Sequence, residues 1–188
     1  MAIKRRWPPY GSNFSSGTTD AIGILVETYN DCERALQFIL LSFMRGDIWH
    51  NFLVVEHMSS TAVIEAIRGY LMEAKEKKNI QDAVEFSVKS FEICRANRNS
   101  IIHFGTAWRD SGKHKTRLMR VKLRSGRQSL TRVLKVGDVR AVADACQELK
   151  IYMDNLSVSL DEHFKRKKFK EHPRPKPAKL LAWNKAPY

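Results

Sequence analysis

Residues 20–43 read DAIGILVETYNDCERALQFILLSF, and the spacing of their apolar side chains decides the fold. Ile22, Leu25, Tyr29, Cys32, Leu36, Ile39 and Phe43 recur at alternating intervals of three and four. That period lays one apolar seam along an α-helix and does not fit the two-residue alternation of a strand. Thr18, Thr19 or Asp20 supplies an N-cap oxygen, and Gly46 closes the helix.

The same period returns downstream. Ile64, Ile67 and Leu71, with Ala66 and Tyr70 beside them, predict a helix that starts near Ser59 and ends in the charged run from Glu73 to Lys78. Val84, Val88, Phe91, Cys94 and Ile101 or Ile102 predict another over 80–102. Asp138 is placed to cap a final helix whose seam is Val139, Val142, Cys146, Leu149, Met153, Leu156 and Leu160. The stretch from Ile48 to Val55 is apolar but has no assignable period.

Between the last two helices, Gly105, Gly112, Gly126 and Gly137 interrupt the helical pattern. Thr116 to Arg124 alternates charged and apolar residues, and Leu130 to Val136 does so more loosely. With Ser125, Gly126, Arg127 and Gln128 as the turn, these predict a basic two-stranded hairpin, which needs a packing partner to be stable. The expected fold is therefore all-α, a four-helix up-down bundle with a basic β-hairpin-like insert before the last helix. Residues 1–19 form a flexible lead-in, 20–164 the helical domain with its insert at 105–137, and 165–188 a basic, proline-rich tail of extended, solvated character.

The chain has 188 residues with 33 Lys plus Arg against 20 Asp plus Glu, a net charge of +13. That excess is unevenly spread. Residues 109–135 carry +9, residues 165–185 carry +8 and the first six carry +3, leaving −7 for the remainder. An acidic body with basic attachments suits a polyanionic partner, because clustered Lys and Arg displace counterions from phosphates. The longest apolar run, Leu36 to Met44, is far below the roughly 20 residues of a membrane span. Basic residues near Met1 have no apolar run behind them, so no secretory signal is expected, and the expected location is the cytoplasm. Cys32, Cys94 and Cys146 lack paired spacing and are expected as reduced core residues, with no metal and no cofactor.

The chemistry-bearing stretch is Glu92-Ile-Cys-Arg-Ala-Asn-Arg-Asn-Ser-Ile-Ile-His-Phe-Gly105. It gathers Arg95, Asn97, Arg98, Asn99 and His103 within about three turns. Arg98 follows Phe91 by seven and so falls on the buried stripe, where its charge needs a partner. A His and an Arg side by side can cleave RNA by transesterification: the imidazole moves protons near pH 7 and the guanidinium presents a planar fork to phosphate. The alternative from the residues alone is an Arg98 salt bridge to a first-helix carboxylate, with His103 as a C-terminal helix cap.

Arg98-Asn99-Ser100-Ile101-Ile102-His103 resembles the signature of the HEPN superfamily, an Arg followed by a polar residue and then by His after four to six positions. The resemblance implies an all-helical domain that dimerises so that two motifs face each other. It also implies a metal-independent endoribonuclease that cuts single-stranded RNA through 2′-hydroxyl attack, of the kind found among toxins and phage-defence effectors. Carried over by position, Arg98 contacts phosphate, His103 is the acid/base and Asn99 orients them, while Arg95 and Asn97 help hold the strand. A protein antitoxin or regulator is a further implied partner. Some toxin members carry a Tyr two places after the His; this chain has Gly105 there, which speaks against their modifying antitoxin.

Further candidates for RNA contact are Trp108, by base stacking, and the basic Arg109, Lys113, Lys115, Arg117, Arg120, Lys122, Arg124 and Arg127. A non-catalytic, dimeric nucleic-acid-binding module is the competing reading. It places binding in residues 109–135 and 165–185 and gives Arg98 and His103 structural roles.

Overall fold

The computed structural model describes residues 14, 16–44, 46–103, 106–109, 116–122, 128–165, 167–177, 179–182 and 184–185. Its body is all-helical: α1 (Ser16–Phe43), α2 (Ile48–Glu56), α3 (Ser60–Ala74), α4 (Lys78–Ile102) and α5 (Val136–Phe164). The two long helices α1 and α5 share the most extensive contact, and α4 packs against both. None of the described helices is long and apolar enough to cross a membrane.

The seams read from the sequence form the core. Leu25, Cys32, Leu36 and Ile39 of α1 meet Val84, Val88 and Phe91 of α4 and Cys146, Met153, Leu156 and Leu160 of α5, all of them fully enclosed. Each such aliphatic or aromatic side chain contributes about 1.5–3 kcal/mol when removed from water. Tyr70 is a departure, half-exposed on α3 and stacked on Phe43 with ring centroids 6.1 Å apart. Arg68 reaches from α3 to Glu85 and Glu92 of α4 at 3.4 and 3.3 Å.

The described residues form five helices where the pattern indicated four. Residues 48–56 form α2, capped by Asp47, whose carboxylate accepts from the amides of Trp49 at 2.8 Å and His50 at 3.0 Å. Ile48, Trp49, Leu53 and Val54 point outward, and Val55 is the buried residue of this helix. With its apolar residues mostly on the solvent side, α2 produces no seam for periodicity to detect. Gly46 adopts φ +105°, a left-handed turn between α1 and α2 that suits a residue without Cβ.

Asp138 does not cap α5. The helix begins two residues earlier, at Val136, and Asp138 lies in its first turn, where a carboxylate faces the positive end of the helix dipole. There it receives Arg132 Nη2 at 3.2 Å.

Four strands form one antiparallel sheet in the order β1 (Thr106–Arg109), β2 (Thr116–Lys122), β3 (Gln128–Leu134) and β4 (Asn184–Lys185). The β2–β3 register runs from Thr116 opposite Leu134 to Lys122 opposite Gln128. The proposed turn residues Ser125, Gly126 and Arg127 lie outside the described residues. Because β4 comes from the tail, the sheet closes over a long sequence separation, with Leu130 opposite Lys185 and Thr131 opposite Asn184.

The tail is extended and most of its described side chains are exposed, but it is also seated on the body at a few points. Phe169 packs on the core beside His163, with ring centroids 6.3 Å apart. Glu171 accepts from Asn79 at 2.9 Å, and His172 Nε2 lies 2.8 Å from the Ser159 hydroxyl. Arg174 lies over the Phe86 ring at 5.5 Å. The tail thus follows α4 from Asn79 past Phe86 to Asn97, and then continues to β3.

Candidate functional site

α4 carries the motif near its C-terminal end, where the helix stops at Ile102 and His103 is the C-cap, its amide donating to Asn99 O at 2.9 Å. Ending there leaves the imidazole exposed and aims it back over the last turn. Arg98 Nη1 lies 3.1 Å from His103 Nε2 and donates to Asn99 Oδ1, also at 3.1 Å. A guanidinium has donors and no acceptor, so this contact requires an unprotonated Nε2.

Arg98 finds no carboxylate among the described residues. Its guanidinium sits 5.2 Å from the centre of the Tyr29 ring, a cation–π contact across the α1–α4 interface. Tyr29 in turn stacks on Phe91, with centroids 5.6 Å apart. Arg98 Nε is enclosed without a hydrogen-bond partner, so the ring face and the two contacts through Nη1 hold the side chain. Burial pushes the Tyr29 hydroxyl well above the usual tyrosine range, with the nearby Glu33 carboxylate adding to the effect. The phenol is therefore neutral beneath the cation.

Arg95 and Asn97 sit elsewhere. Arg95 Nη1 donates to Thr61 Oγ1 of α3 at 2.8 Å, one turn from Arg98. Asn97 is fully buried, and both ends of its amide are used: Nδ2 donates to Lys179 O at 3.0 Å and Oδ1 accepts from Leu181 N at 2.8 Å. The expectation that Asn97 touches RNA fails on this geometry, because the tail backbone occupies it. No sequence pattern marks that role; the one cue was an amide on the buried side of an amphipathic helix.

β1 and β2 carry Trp108, Arg109, Arg117, Arg120 and Lys122, with Trp108 the register partner of Arg117. Lys113, Lys115, Arg124 and Arg127 fall outside the described residues. Arg132 joins three elements, since Nη2 meets Asp138 of α5 while Nη1 donates to Ala182 O of the tail. A groove of 840 Å³ between Phe43, Tyr70 and Phe164 lies apart from the motif and includes neither Arg98 nor His103.

Set beside protein-family models, curated proteins and solved structures, the chain matches none. The reading of the site therefore rests on its geometry. Arg98, Asn99 and His103 form one cluster, exposed at the imidazole and anchored at the guanidinium. Tyr29 is the member that spacing missed. It stands on the α1 seam among aliphatic residues, and its role appears only once α1 and α4 are packed.

Proposed function

We propose that the chain is a HEPN-type endoribonuclease acting inside the cell on single-stranded RNA. The observation that carries this reading is the 3.1 Å contact between Arg98 Nη1 and His103 Nε2 at an exposed helix end. The neutral Nε2 is a proton acceptor for a ribose 2′-hydroxyl, and substrate binding moves the guanidinium N–H donors from Nε2 to the non-bridging phosphoryl oxygens. As the O2′–P bond forms, the O5′–P bond breaks. The 2′ proton goes to the imidazole, and the leaving 5′ oxygen takes a proton from a second acid. The products are a 2′,3′-cyclic phosphate and a 5′-hydroxyl.

Each chain brings one such imidazole, so the two proton transfers call for a homodimer with facing motifs. Asn99 orients Arg98 through its Oδ1. In this reading α1, α3, α4 and α5 are the up-down bundle, the strands between α4 and α5 are its basic hairpin insert, and a protein antitoxin or other regulator is a partner. Loss of the His103 imidazole should lower the rate by about 10²- to 10⁴-fold. The test is cleavage in EDTA by the wild type, His103→Ala and Arg98→Ala; equal rates in all three would sink the assignment.

The second reading, a dimeric binding module without cleavage, is favoured by one observation: Arg98 is already engaged by Tyr29, Asn99 and His103. It requires RNA to remain intact under every condition.

A further inference from the structure

The tail combines two features that an unstructured basic segment does not have together. Its seat uses groups other than lysine head groups: Phe169 on the core, Glu171 on Asn79, His172 on Ser159, and the backbone at Lys179 and Leu181 on Asn97. Lys168, Lys170, Lys176 and Lys179 remain exposed and form no ion pair among the described residues. Pro173, Pro175 and Pro177 each hold φ near −65°, so the extended shape exists before docking and little ordering entropy is lost on seating. From Lys168 to Lys179 such a chain spans roughly 34 Å at about 3.1 Å per residue.

This row of free cations has a direction. It runs along α4 from Asn79 to Asn97, and Asn97 immediately precedes Arg98. Arg174, over Phe86, lies between the two ends. A free tether would distribute the same charges over many positions; here the Asn97 amide fixes where the row ends.

We propose that the seated tail is a phosphate track, binding the backbone of single-stranded RNA along α4 and delivering it to Arg98 and His103. Asn97 is the positioning residue of that track and touches no RNA itself. The proposal rests on the ribonuclease reading for its destination, while the track itself is read out by binding alone.

The test uses full-length His103→Ala protein, which leaves RNA uncut, and a short fluorescent oligouridine titrated at several salt concentrations. Single-stranded phosphate contacts contribute about 0.7 each to the slope of log affinity against log salt. Replacing Lys168, Lys170, Lys176 and Lys179 together by Ala should therefore lower the slope by about 3. These side chains are exposed, so the fold is kept. Asn97→Ala leaves every charge in place, yet should weaken binding and open the Lys179–Leu180 peptide bond to trypsin.

An unchanged slope in the four-lysine variant overturns the track. Wild-type affinity in Asn97→Ala, with the tail open to trypsin, overturns the seating and leaves a tether. Should Asn97→Ala fail to fold, the four-lysine variant decides. Cleavage in EDTA by protein with an intact tail is scored separately, so an inactive enzyme with a working track and an active enzyme without one are distinguished.

Discussion

Tyr29 shows how a single side chain sets the position of another. Its ring carries the Arg98 guanidinium on one side and is backed by Phe91. Cation–π contacts are worth about 0.5–2 kcal/mol, the upper end applying when water is excluded. We expect Tyr29→Phe to keep this contribution and Tyr29→Leu to lose it, a difference of about 1 kcal/mol in urea unfolding. Equal midpoints for the two variants would mean that the ring face does not hold the cation. The residues themselves foretold that Arg98, on a buried stripe, needs a partner. They did not reveal which, because an aromatic ring and a carboxylate both satisfy a guanidinium, and the choice depends on how α1 crosses α4.

At the scale of elements, legibility followed the direction in which apolar residues point. The α1 and α5 seams were readable because each buries a continuous row at intervals of three and four. α2 was not, since Ile48, Trp49, Leu53 and Val54 face solvent and Val55 alone is buried among its residues. Its start depends on Asp47, whose carboxyl is held below the usual carboxylate range chiefly by the His50 amide. A depressed folded value means that the cap's contribution is complete above the unfolded value of about 3.9 and is lost as pH falls through the lower folded one. The protection of the Trp49 and His50 amides relative to their intrinsic exchange rates should therefore fall in acid, and Asp47→Asn, which retains a capping oxygen, should flatten that dependence. An acid response in Asp47→Asn as large as in the wild type would assign the effect to another group. The tail was unreadable for a different reason: its seating depends on the Asn97 amide and on Phe169, and neither alters a composition that is mostly Pro and Lys.

Taken whole, the molecule is tied together where α1, α4 and α5 meet. Cys32, Cys94 and Cys146, one from each helix, are fully buried, and Cys146 interacts with both of the others. The sequence indicated core thiols but not their convergence, because isolated cysteines carry no pairing signal. The neighbouring Cys32 thiol, together with burial, pushes the Cys146 thiol up to about 12, and Cys94 is raised by the neighbouring Cys146 and by burial. A raised folded value means that stability is complete below the unfolded thiol value of about 8.5 and is lost as pH climbs toward the folded one. We expect the urea midpoint to fall between pH 8 and pH 10, and to fall less in Cys146→Ala. Native protein should resist thiol-specific labelling that all three cysteines accept in denaturant. Rapid labelling of the native state would contradict the enclosed cluster.

The meeting of Asn97 with residues 82 and 84 places further along joins segments that cannot be neighbours early in folding. A loop of that size forms slowly, after α5 has brought the tail back alongside α4. Until then the Asn97 amide is hydrated and the outer edge of β3 at Leu130 and Thr131 is bare. A chain cut short before residue 179 would be arrested in that condition, with an orphaned polar group beside an open strand edge. Such an edge recruits strands from other chains, so shortening this tail favours aggregation.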